Sequence, residues 1–384
     1  MIRWIILLVV AGVGFALSAG AYEVRLEAVA GASLLVETPL IQGVKLEAGV
    51  PAGIDPLDLE GSPSYARLNI AGRGFIVLID RTSDGARLYA DANGDGKLEP
   101  IDWGSTLPDL TLVGEAGFEV ANGDGEAAYR ITLMWNETIP TVLTYFSDTY
   151  RLGEIPLPER GVRLAVIDRN SDGFYDEPDR DTLLIDVDGD GALLAAADSH
   201  ERFNLDEPFN IAGTSYVVTS ISPDGSHLTV DRSEDHVDPK PPLLVGYPAP
   251  DFEGEDADGN PFSLASFRGE IVVLDFWAGW CTPCIEELGT IEIVAERLAE
   301  RGGTLIGISL DRSIDSFRDA VSEHGITYRQ IYDGPEGPIS SLYRIGGIPM
   351  IYLIDEEGII RGRDLRGDDL IEAVDRLLDA GKEG

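Results

Sequence analysis

Two cysteines, Cys281 and Cys284, stand in Cys-x-x-Cys spacing in this 384-residue chain. Two thiols are too few for a disulfide-stapled scaffold or a four-cysteine zinc site, but they suit one reversible disulfide. The nucleophile in disulfide exchange is the thiolate, and an ordinary cysteine is mostly protonated at neutral pH. Exchange chemistry therefore asks for a place that stabilises negative sulfur. The first turn of a helix is one, because its exposed N–H groups carry partial positive charge. Cys281 would gain acidity there. Cys284 would lie one turn further in, on the same face and within disulfide reach. It could attack a mixed disulfide and release the substrate. Pro283 suits that first turn, where its missing N–H costs little. Trp280 would give the site an apolar rim. The four histidines are scattered and form no His-x-x-x-His or His-Glu-x-x-His pair, so a zinc hydrolase is not expected.

The elements around the dithiol read as alternating strand and helix. Ile271–Trp277 is a continuous apolar strand except for Asp275. Burial would raise the pKa of that carboxyl, and it could then take the proton from Cys284. A core acid satisfied by a backbone donor is the plainer alternative. A helix is expected from about Cys281 to Glu300, stopped by Gly302-Gly303. Thr304–Leu310 reads as a strand and Ser313–His324 as an amphipathic helix stopped by Gly325. A further strand is expected over Tyr328–Tyr332. Met350–Ile354 and Ile359–Arg363 flank the turn Asp355-Glu-Glu-Gly358 as a hairpin, and Asp368–Ala380 closes as a helix. Pro349 stands at a strand entry, after Gly346-Gly347 and Ile348. Residue types alone give it the trans form by default.

Trp-Cys-Thr-Pro-Cys after an apolar strand, with Gly-Ile-Pro about 65 residues on, resembles the thioredoxin fold. Val245-Gly-Tyr-Pro-Ala-Pro-Asp-Phe252, then Gly259-Asn-Pro-Phe-Ser-Leu264 and Phe267-Arg-Gly269, narrow the likeness. They resemble extracytoplasmic TlpA/ResA-like thioredoxins within the redoxin and AhpC/TSA grouping, over roughly residues 244–384. The resemblance implies that Cys281 attacks, Cys284 resolves, Asp275 is the buried acid and Pro349 is cis. Glu287 matches the acid that often follows the motif in that group; it could equally be solvated helix surface. The proline usual two residues later is Gly289 here. The peroxiredoxin setting Pro-x-x-x-Thr-x-x-Cys is absent, so peroxidase activity is not expected. The implied activity is thiol–disulfide exchange without a cofactor for the redox step. Its substrates would be disulfide-containing proteins, with electrons arriving from a membrane dithiol donor.

Acidic loops are a second signal. Calcium takes six to eight oxygens, which Asp and Asn at alternate positions around a glycine can supply. Asp91, Asn93, Asp95, Lys97 (carbonyl), Glu99 and Asp102 fit loop positions 1, 3, 5, 7, 9 and 12. Asp168, Asn170, Asp172, Phe174 (carbonyl), Asp176 and Asp179 fit likewise. A third run, Asp186, Asp188 and Asp190, meets Ala197 at the last position. Asp80, Thr82 and Asp84 begin a weaker fourth. These resemble EF-hand-type loops, but β flanks argue against helix–loop–helix pairs. Structural Ca2+ is the expectation; Asp-Gly turns joining strands in an acidic protein are the alternative.

Residues 22–235 read as mostly β, with runs at Phe75–Ile79, Tyr129–Trp135, Thr141–Phe146, Val162–Ile167 and Ser215–Ile221. Internal similarity suggests a duplicated β unit. Phe75-Ile-Val-Leu-Ile-Asp80-Arg-Thr-Ser-Asp84-Gly85 is echoed by Arg163-Leu-Ala-Val-Ile-Asp168-Arg-Asn-Ser-Asp172-Gly173. Asn69-Ile-Ala-Gly72 recurs as Asn210-Ile-Ala-Gly213. The expected organisation is an address over 1–21, the β-rich region over 22–235, a Pro-rich linker over 236–246 and the thioredoxin-like α/β domain over 247–384. Arg3, an apolar run from Trp4 to about Leu17 and small residues at Ala19-Gly20-Ala21 form the pattern of a secretory signal. An uncleaved membrane anchor is the alternative, and either places the bulk of the chain outside the cytoplasm. The net charge of −39 repels nucleic acid and anionic lipid. Three functions remain: a reductant of protein disulfides, an oxidase or isomerase, or a calcium-stabilised binding module served by a redox domain.

Overall fold

The structure, a computed structural model, describes residues 21–30, 41–55, 58–107, 111–122, 125–256 and 259–380. The expected secretory signal lies outside them, apart from residue 21. No helix among the described residues is long and apolar enough to cross a membrane. The chain divides into two compact units: Met1–Ala195 with Glu201–Pro239, and Ala196–His200 with Lys240–Gly384.

The second unit is built on a five-stranded mixed sheet. Its elements are β1 (Val272–Trp277), α1 (Thr282–Arg301), β2 (Thr304–Ser309), α2 (Ile314–His324), β3 (Arg329–Tyr332), α3 (Pro338–Leu342), β4 (Met350–Ile354), β5 (Ile360–Arg363) and α4 (Gly367–Ala380). The strand order is β3-β2-β1-β4-β5. β2 runs parallel to both β1 and β3, while β4 is antiparallel to β1 and β5. β1 is central and every residue of it is buried, which is why it reads as an unbroken apolar run. Side chains alternate across the sheet. Leu274 and Phe276 pack with Tyr343 and Tyr352 on one face. Val273 packs on the other with Val294 and Leu298 of α1 and Leu370 and Val374 of α4. Asp275 shares that second face by the same alternation.

Each helix end has its cause in the sequence. Cys281 is the N-cap of α1, Pro283 sits in its first turn, and Gly302 ends it in the left-handed region at φ 83°. Ser313 caps α2 and exchanges hydrogen bonds with Ser316, and Gly325 stops the helix. The short α3 and a hairpin of Glu253–Glu255 with Pro261–Ser263 went unread in the sequence. Both are too short to show a period.

The first unit is antiparallel β throughout the described residues. One sheet runs Glu47–Ala48, Ser62–Ile70, Arg73–Thr82, Gly85–Asp91, Glu99–Ile101; another runs Arg202–Phe203, Thr182–Ile185, Gly161–Ile167, Thr149–Pro156, Glu27–Ala30. Two further sheets complete it, and a shared core holds Phe75, Phe118, Tyr129, Trp135 and Tyr175. In both sheets named the last four strands in chain order form a meander, and the Asp91 and Asp186 loops occupy the same place in it, between the third and fourth of those strands. The echo between Asp80 and Asp168 does not hold as a loop, however. Asp80 lies inside a strand, opposite Arg87, and its hairpin turns in the two residues Ser83-Asp84. The weak fourth loop is thus a hairpin. The counterpart link in the other sheet spans residues 168–181. The repeated Asn-Ile-Ala-Gly is a two-residue hairpin turn used twice: Ala71, Gly72, Ala212 and Gly213 all have positive φ.

Candidate redox site and acidic loops

β1 ends at Trp277, and after the three residues 278–280 the chain enters α1 at the dithiol. Cys281 and Cys284 form a disulfide with S–S 2.08 Å and Cα–Cα 5.2 Å. The Cys281 sulfur accepts the Cys284 N–H at 3.2 Å, the N-cap geometry that stabilises a thiolate once the bond is reduced. Both cysteines are buried, whereas Trp280 beside them is 58% exposed. The Ile348–Pro349 peptide is cis, and the Ile348 carbonyl oxygen lies 3.7 Å from the Cys281 sulfur. The structure thus brings Trp280, Cys281, Cys284 and Pro349 to one end of the sheet.

The approach to the dithiol is fixed from behind. The Gly279 N–H donates to both carboxylate oxygens of buried Asp311, each at 3.2 Å, and the Ser309 hydroxyl donates to Asp311 at 2.8 Å. Gly279 itself is needed for space: a Cβ there would come within 2.6 Å of the Ala320 Cβ.

Asp275 is 3% exposed. Burial pushes its carboxyl up to about 7; the Arg366 guanidinium opposes this, the Glu287 carboxylate adds to it, and the Tyr328 hydroxyl opposes it. Burial likewise raises Tyr328, and Asp275 adds to it. Glu287 accepts the Gly367 N–H at 2.6 Å, so it ties α1 to the start of α4. Arg366 donates to the Pro349 carbonyl, and to Asp364 at 2.7 Å. The Trp277 indole N–H donates to Gln330 at 2.9 Å. Asp311, Tyr328, Gln330 and Arg366 were missed in the sequence. They arrive from three other elements or the loops beside them, and no local spacing marks them.

The acidic loops are less regular than their spacing. In the first, Asp91 accepts the Gly96 N–H, Asn93 the Asp95 N–H and Asp95 the Lys97 N–H. Glu99 already pairs with Ala90 in the sheet. That strand runs to Ile101, which already lies opposite Leu88, so the chain leads away from Asp91 before it reaches Asp102. Asp102 is therefore not a partner for Asp91. In the second loop Asp168 is bound by the N–H groups of Ser171 and Gly173 and by the Tyr129 hydroxyl. Phe174 donates its N–H to Asp172, while Asp176 and Asp179 are exposed. Asp181 is buried instead, and half-buried Glu177 accepts from the Asn170 amide. Burial pushes Asp168 up to about 7 and Asp181 to about 8. In the third loop the carboxylates of Asp186, Asp188, Asp190 and Glu201 lie within 4.8 Å of one another. Glu201 supplies the acid that Ala197 lacks, from four residues beyond the expected position.

Residues 245–363 match the AhpC/TSA family. The chain is 33% identical over 123 residues to the thiol-disulfide oxidoreductase ResA of Oceanobacillus iheyensis, covering 30% of this chain and 62% of that protein. It is 27% identical over 143 residues to ResA of Geobacillus kaustophilus, covering 37% of this chain and 81% of that protein. Among solved structures it is similar to the thioredoxin domain of a thiol-disulfide oxidoreductase from Bacteroides vulgatus, at 33% identity and a TM-score of 0.34, covering 35% of this chain and 99% of that one. Residues 245–363 thus match the AhpC/TSA family, and the order of the sheet with the dithiol at the N-terminus of α1 gives this unit a thioredoxin fold.

Proposed function

We propose that this protein is an extracytoplasmic thiol–disulfide oxidoreductase that reduces disulfides in protein substrates. The observation that carries the proposal is the Cys281 sulfur at the N-cap of α1, beside the carbonyl that precedes cis-Pro349. In the reduced enzyme the Cys281 thiolate attacks a substrate disulfide and expels one substrate thiolate. The mixed disulfide holds the substrate while its backbone pairs with the edge at Ile348. Cys284 then loses its proton to Asp275 and attacks Cys281, and the second substrate thiolate leaves. Two electrons pass to the substrate, and the enzyme is left with the Cys281–Cys284 disulfide. A membrane dithiol donor restores the reduced form. Trp280 offers the substrate an apolar contact. Location outside the cytoplasm is supported by the positive, apolar and small-residue pattern of residues 1–21.

The test is the reduction potential of the pair, by equilibration against a thiol buffer. A reductant is expected near or below roughly −250 mV; a value near about −120 to −180 mV would instead indicate an oxidant or isomerase.

A further inference from the structure

We propose that Gln330 and Tyr328 are positioning residues for the resolving step, two buried donors that serve the Asp275 carboxylate when it stands ready to take the Cys284 proton. The proposal rests on the reading of Asp275 as the acceptor of that proton. The register of the sheet places the amide. Asp275 of β1 lies opposite Gly307 of β2, and Gly307 lies opposite Gln330 of β3, so all three belong to one face. Gly307 has no side chain, and Gln330 fills the space it leaves. A Cβ on Gly307 would come 2.3 Å from the Gln330 amide nitrogen and 2.4 Å from its oxygen. The amide therefore occupies the place of the cross-strand neighbour of Asp275, one strand spacing of about 5 Å away. Its orientation is fixed as well. The Trp277 indole N–H can only donate, and it gives its hydrogen to Gln330 Oε1 at 2.9 Å.

The remaining amide nitrogen, Nε2, is buried and has no acceptor in the disulfide form. The Tyr328 hydroxyl is likewise buried and without a partner. Tyr328 packs against the clusters of Val273 and of Trp277, the two residues that flank Asp275 on its face of β1. A buried donor left unmade is costly, and two of them beside one buried carboxyl have a common use. Donors favour the ionised form, and so keep the carboxyl able to accept a proton near neutral pH against the effect of burial. The other groups that act on Asp275 are Arg366, ahead of α4, and Glu287 of α1; its partner in β4, Ile351, is uncharged. With Asp275 ionised, the Cys284 S–H proton passes to its carboxylate and the Cys284 sulfur attacks the Cys281 sulfur. The bond from Cys281 to the substrate breaks, and its electron pair leaves on the substrate sulfur.

The test is the pH profile of resolution in the full chain. Reduced protein is mixed with glutathione disulfide, and decay of the Cys281–glutathione mixed disulfide is followed by acid quench and mass spectrometry from pH 6 to 9. Tyr328→Phe and Gln330→Leu each remove one donor and are expected to raise the midpoint by about one pH unit. From a midpoint of about 7, that slows resolution about fivefold at pH 7 and leaves little difference at pH 9. Tyr332→Phe takes a hydroxyl from the same strand and is expected to match wild type. Titration of the Asp275 carboxyl by 13C NMR in the disulfide form, assigned by its loss in Asp275→Asn, should show the same rise without any exchange. A merely structural role would move neither midpoint. Circular dichroism checks folding, and Tyr328→Phe carries the test if Gln330→Leu, which leaves the Trp277 indole unpaired, does not fold. The proposal is overturned if either midpoint stays at the wild-type value in Tyr328→Phe. If Asp275→Asn resolves as fast as wild type at pH 7, the reading of Asp275 as proton acceptor falls and this proposal with it. If Asp275→Asn is slow while Tyr328→Phe keeps the wild-type midpoint, the donor proposal alone falls.

Discussion

Replacing Asp275 by Asn should stabilise the thioredoxin-fold unit, and by an amount that depends on pH. Burial moves this carboxyl from an ordinary 3.8 to about 7. Below the lower value the folded and unfolded chains are both protonated at this position, and Asp275 exacts no charge penalty. Between the two values the unfolded chain has lost the proton while the folded one keeps it. Stability then falls as pH rises, by about 1.4 kcal/mol per pH unit. Above about 7 the full cost is reached, on the order of 4 kcal/mol for a shift of about three units. Asn has nearly the same shape and no charge, so the variant escapes this term. Its own packing and hydrogen-bond costs do not change with pH, which makes the slope the signature and not the absolute difference. Hydrogen exchange of amides in Val272–Trp277, followed by mass spectrometry with the disulfide intact, reads the unfolding of this unit alone. Wild type and Asp275→Asn are compared at pH 4, 5, 6, 7 and 8. The gap should widen to about pH 7 and then level off. A gap that stays flat over that range would refute the burial argument, and with it the supply of a proton acceptor for Cys284 near neutral pH.

Two further outcomes follow from the site. Cys284→Ser should leave Cys281 able to attack but unable to release, so mixed disulfides with substrate proteins accumulate on non-reducing gels, while Cys281→Ser forms none. Gly279→Ala places a methyl 2.6 Å from the Ala320 Cβ, so its thermal unfolding should show a loss of about 1–3 kcal/mol.

The dithiol end of the protein was legible because its chemistry and its local structure use the same residues. Pro283 and Cys281 begin α1, Gly302 ends it, and the apolar run of β1 announces a strand covered on both faces. Asp275 stood out because a carboxyl in such a run has a desolvation cost that something must justify. Asp311, Gln330 and Arg366 did not stand out, since each is one polar residue near an element end, and only the sheet order brings it to the site. Pro349 shows the boundary between the two kinds of inference. Residue types favoured trans, the thioredoxin likeness implied cis, and the cis form is what sits beside Cys281.

In the β-rich unit the acidic runs form tight loops, but their spacing does not decide which later acid comes back to them. An Asp-x-Asn-x-Asp-Gly run fixes a tight loop through Asx hydrogen bonds, such as those of Asn93 and Asp95 to the N–H groups two residues on. It does not fix where the chain goes next. After Leu98 the chain pairs at once with the strand it has left, and Asp102 is carried away. After Asp190 it takes a longer path, and Glu201 returns to the acids. After Phe174 it turns so that Asp181 is buried while Asp179 stays exposed. Where the last acid of such a loop lies is a tertiary property, set by whether the following strand joins the sheet before or after it. Counting residues from the first Asp presumes that a helix follows, and in all three loops a strand follows instead.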